Sequence, residues 1–150
     1  MKKHPYQEQT DRVWNVIKFE IRAKENGFWI ESISLSYVIL EYQLRILLSC
    51  KVDKAGNPIS TVKINKAEYL IALANLAKEK DIIDDGLYNK IKQFNDFRRT
   101  FIHRLLLEDL NYSQLEEPAK NAWRITEEIQ SKWLKLTWGE AVPTKATNHD

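Results

Sequence analysis

Phe94-Asn-Asp-Phe-Arg-Arg-Thr-Phe-Ile-His-Arg-Leu-Leu-Leu107 is the stretch on which the fold of this 150-residue chain turns. Phe94, Phe97, Phe101 and Leu105 recur on one face at helical spacing, so the segment predicts an α-helix with an apolar stripe. The same helix carries Arg98, Arg99, His103 and Arg104, the densest cationic cluster in the chain. His103 is the one histidine inside a strongly patterned segment, since His4 and His149 lie in the terminal stretches. A lone imidazole among guanidiniums joins a group that moves protons near neutral pH to groups that hold phosphate oxygens. Such a set suits chemistry on a phosphodiester.

Outward from this helix, the rest of the chain also reads as helical. Pro5 opens a first helix whose buried face is marked by Trp14, Ile17 and Ile21, and Gly27 stops it. Phe28 to Cys50 is apolar on nearly every side, which requires burial on more than one face. In so short a chain the expected second neighbour of that helix is another subunit. Lys51 to Ser60 is a turn-rich connection and Thr61 to Ile64 a short extended piece. Asn65 caps a third helix running to about Lys80, with Leu70, Leu73 and Ala77 inward. Asp84 or Asp85 caps the fourth, from about Gly86 to Asp109, which bears the cationic cluster. Ser113 and Glu116 form a capping-box pattern before a last helix with Ala122, Ile125, Ile129, Trp133 and Leu136 on one face. The expectation is an all-α bundle of four to five helices, with residues 1–137 as one domain and 138–150 as a flexible tail.

Composition narrows the function classes. Lys plus Arg number 23 against 21 Asp plus Glu, so any nucleic-acid site must be local and not a product of bulk charge. The single cysteine, Cys50, rules out a disulfide framework within one chain and reads as an inert buried thiol. The N-terminal stretch lacks the apolar core of a secretory signal, and no uninterrupted apolar run approaches the roughly 20 residues of a membrane span. A cytoplasmic protein without a membrane partner is expected. Asp81, Asp84 and Asp85 form a helix-start signal, not a metal cluster. Neither a metal nor a cofactor is expected.

At roughly 100° per residue, Arg98 lies at the edge of the phenylalanine stripe and His103 about 140° further round. Arg99 and His103 share a face with Asn95, and Ile102 and Leu106 lie beside it. Two copies of this half-apolar face, meeting across a two-fold axis, would bring each arginine toward the partner's histidine. The plainer alternative is a surface histidine among ordinary helix-face charges. In the second helix, Glu41 and Arg45 are spaced for a local ion pair, with a role for Glu41 in orienting the motif arginine as the other reading.

Arg98-Arg-Thr-Phe-Ile-His103 resembles the R-x4-6-H signature of the HEPN superfamily of all-helical RNase and nucleotide-binding domains. The context is similar too: Leu40-Glu-Tyr-Gln-Leu-Arg45 in a long apolar helix, a further helix, then Asp81-Ile-Ile-Asp-Asp-Gly-Leu-Tyr-Asn-Lys-Ile leading into the motif. The likeness spans residues 10 to 136, and its specific part is the motif itself. Two positions depart from the family's habit: Arg99 stands where asparagine is common, and Arg104 where glycine is frequent.

The resemblance implies a homodimer whose motif helices build one composite, metal-independent endoribonuclease site, of the kind found in toxin–antitoxin and phage-defence systems. In it the ribose 2′-hydroxyl attacks the adjacent phosphorus, so DNA is inert. His103 is then the proton-transfer group and Arg98 the stabiliser of the charged transition state. Arg99, Asn95 and Arg104 are candidates for holding phosphate, and Glu41 for supporting the pair. RNA is the implied substrate, and an antitoxin or a nucleotidyltransferase the implied regulator. The alternative within the same family is a catalytically silent module that binds nucleotide or RNA or serves assembly.

Overall fold

A computed structural model describes the backbone of residues 5–107 and 111–137 and the side chains of 11–101, 103–104 and 111–132. Among the described residues the chain forms six α-helices: α1 Pro5–Glu25, α2 Trp29–Cys50, α3 Thr61–Lys66, α4 Leu70–Glu79, α5 Asp85–Leu107 and α6 Glu116–Thr137. A 3-10 turn, Tyr112–Leu115, precedes α6. The expected tail beyond 137 lies outside the described residues, as do the side chains of Ile102, Leu105, Leu106, Trp133 and Leu136.

The helix ends follow from local chemistry. Gly27, at φ 71°, closes α1: its N–H donates to the Lys24 carbonyl and that of Phe28 to the Ala23 carbonyl, pairing the helix's last acceptors. Asp81 takes the same left-handed position after α4 at φ 55°, and the N–H of Ile82 reaches back to Ala77. Asp84 starts α5 by accepting a 2.7 Å hydrogen bond from the Leu87 N–H. Asp81 and Asp84 are thus punctuation for two successive helices.

Five sequence expectations change. Thr61–Lys66 is a short helix, not an extended piece, and the next helix begins at Leu70 instead of Asn65. Ser113 does not cap: Asn111 Oδ1 accepts from the Ser113 N–H and hydroxyl, placing the turn before α6. Trp14 is 38% exposed, while Val13, Ile17, Glu20 and Ala23 form the buried face of α1. Cys50 is exposed at the end of α2, with local desolvation holding its thiol above the ordinary value.

α2 runs through the centre, packed by α1 and α6 and further covered by α4, α3 and the 3-10 turn. Ile33, Leu40, Leu44, Leu47 and Leu48 join Leu70, Leu73, Leu87, Ile91 and Ile129 in the main core. Ile39 and Ile46 meet Val13 and Ile17 of α1 on another side. By length and mean hydropathy α2 could cross a membrane, and half of its most apolar stretch is buried within its own chain. Val38 stays exposed and Leu35 half-buried, so one side of α2 remains open. Between α1 and α2 the core turns polar. The hydroxyl of Ser32 donates to Glu20 Oε1 at 2.6 Å, and burial raises the Glu20 carboxyl above its ordinary value.

Candidate functional site

α5 positions the cationic cluster. Phe94 and Phe101 are buried against the core, and Phe97 stacks on Phe101 with ring centroids 5.7 Å apart, which fixes the rotation of the helix. With that face inward, the polar residues divide between two surroundings. Arg98, beside the stripe, leans on α2: its guanidinium lies 3.8 Å from the centre of the Tyr37 ring. Glu41, one turn along α2, sits beside the same tyrosine. Burial and then the Glu41 carboxylate push the Tyr37 phenol up, so it stays protonated at neutral pH.

His103 is exposed on another side of α5, where Asp96, Arg99 and Thr100 line the same open hollow. The Thr100 hydroxyl is turned back to the Asp96 carbonyl at 3.0 Å, leaving the carboxylate, guanidinium and imidazole as the ionisable groups that line the hollow. Asn95 is 8% exposed and does not line it. Arg104 instead borders a neighbouring cleft with Phe97, Phe101, Gln114 and Leu115.

The structure therefore brings His103 and Arg99 together and sets Arg98 apart, as the helical angle requires. Arg45 does not pair with Glu41. Its guanidinium donates to the carbonyls of Ile64 at 3.1 Å and Ala67 at 2.9 Å, holding the C-terminal end of α3. Glu41 is linked to Arg98 through Tyr37. Asp96 and Thr100 could have been found from sequence, since they lie at helical spacing from Arg99 and His103. Tyr37 could not, because nothing local says which residue of α2 will face α5.

Compared with protein-family models, with curated proteins and with solved structures, the chain matches none.

Proposed function

We propose that this protein is a metal-independent endoribonuclease of the HEPN kind, acting in the cytoplasm as a homodimer in toxin–antitoxin or phage-defence systems. The observation that carries this reading is the exposure of His103 in a hollow shared with Arg99, while Arg98 is seated on Tyr37 nearby. A cleavage site needs a proton-transfer group open to solvent and cations fixed beforehand, because a preorganised charge stabilises a developing anion without reorganising. Within one chain His103 and Arg98 have different neighbours. A second copy, turned about a two-fold axis, brings its Arg98 and its own His103 to the histidine of the first.

In the proposed reaction, one imidazole draws the proton from the ribose 2′-hydroxyl and the oxygen attacks the adjacent phosphorus. The P–O5′ bond breaks, and the leaving oxygen takes a proton from the other imidazole. The products are a 2′,3′-cyclic phosphate and a 5′-hydroxyl end. Arg98 stabilises the charge gathered on phosphorus, and Arg99 and Arg104 hold neighbouring phosphates. An antitoxin or a nucleotidyltransferase would regulate such an enzyme.

Cleavage of single-stranded RNA in excess EDTA, with the matching DNA left intact, is the expected result. Loss of cleavage on chelation, or cutting of DNA, would sink the proposal. One observation favours a silent RNA-binding module as the second reading: Arg98 is occupied by Tyr37. Tight RNA binding without cleavage would select it.

A further inference from the structure

The hollow around His103 does not end at Thr100. Thr100 also lines the cleft that contains Phe97 and Arg104, and Phe97 also lines a groove of about 410 Å³ between α5 and α6. The three depressions share walls in sequence, so they follow α5 from His103 back to Lys90. At about 1.5 Å per residue this is a path on the order of 20 Å. Its floor is aromatic and apolar, with Phe94, Phe97 and Ile125, and its edges carry Arg99, Arg104, Arg124 and Lys90 at intervals, with the carboxylates of Asp96 and Glu128 at the two ends.

We propose that this path is a track for the single-stranded RNA flanking the bond that is cut, with a base on Phe97 and phosphates along the cationic edge. The track rests on the ribonuclease reading above. Aromatic platforms beside a line of cations are how proteins hold unpaired strands, with sites of about four nucleotides at the short end. The charges complement a strand's regularly spaced phosphates better than they would an apolar peptide. Arg124 is exposed and bonded to the neutral amide of Asn121, so its charge remains to meet a phosphate. Lys90 is tied to Glu128 at 2.7 Å and serves mainly to shape the far end. Asn121 and Gln93, also on the groove, offer amides to base edges.

The test is fluorescence anisotropy of a labelled 12-nucleotide RNA with full-length protein carrying His103→Ala, which keeps the RNA intact. Adding Arg124→Ala lowers affinity about five-fold at 0.1 M salt and flattens the salt dependence by about 0.7 in log–log slope. Adding Phe97→Leu lowers affinity at least about five-fold by removing the stacking ring. Arg124 lies on the surface, so its variant reads binding even if Phe97→Leu proves unstable. Cleavage by the wild type together with unchanged affinity in the Arg124→Ala protein overturns the track alone. A wild type that neither binds nor cuts RNA overturns the track and the ribonuclease reading together.

Discussion

His103, Arg98 and Arg99 are close in sequence but do different work. His103→Ala should lower cleavage by about 10²–10⁴, the usual worth of a proton-transfer group, with helical content unchanged by circular dichroism. Arg98→Ala should be comparably silent, whereas Arg99→Ala should mainly raise KM. An inactive Arg99→Ala beside an active Arg98→Ala would shift the chemistry to the hollow-lining arginine. The seat of Arg98 gives a finer check: Tyr37→Phe keeps the ring and should keep activity, while Tyr37→Leu removes it and should lower kcat about 3- to 30-fold. These residues were legible in sequence because one helix carries the cluster, but the ring beneath Arg98 comes from a distant helix. Glu20 marks a different limit, an acid on the buried face of an otherwise ordinary amphipathic helix. Its folded pKa is raised above the ordinary 4.5, so the stability it contributes is full below that value and is lost as pH rises through the folded pKa. Glu20→Gln should therefore have a higher Tm than wild type at pH 7 but not at pH 4. A wild type at least as stable at pH 7 would contradict this.

At the scale of helices, periodicity and stop signals located α1, α2, α5 and α6, since each is long enough for a face to repeat. α3 was not legible. Its six residues are too few to show a period, and its C-terminal carbonyls are held by Arg45 from another helix. The same distance effect misled the reading of Glu41 and Arg45, whose spacing permits an ion pair that the carbonyls of α3 outcompete. Ser113 and Glu116 fitted a capping box, but Asn111 starts the chain turning two residues sooner and takes the hydrogen bonds. Of the two caps the sequence offers for α5, Asp84 takes the role, and its strength can be measured. Asp84→Ala leaves the Leu87 N–H without its side-chain partner at the start of α5 and should destabilise by about 1 kcal/mol in urea unfolding. No change in midpoint would mean that the hydrogen bond contributes nothing to the helix carrying the candidate site.

For the molecule as a whole, α2 and α5 both bear on assembly. The apolar circumference of α2 suggests a subunit interface, and α1, α4 and α6 cover most of it while Val38 and Leu35 stay on its open side. A further reason for expecting a dimer lies in α5: Arg98 is seated against α2 while His103 lies in the hollow on another side, so one copy does not assemble both. A homodimer of standard interface, on the order of 1,600 Å² in total, should be visible by light scattering at micromolar concentration. Subunit mixing tests the central claim most directly. Wild-type and His103→Ala proteins in equal amounts are unfolded together, refolded and assayed on single-stranded RNA. If the site needs a histidine from each copy, only the wild-type pairs cut, and random pairing should leave about a quarter of the activity of the same total amount of wild type. About half the activity, in a mixture that contains mixed dimers, would show that the site does not span two chains.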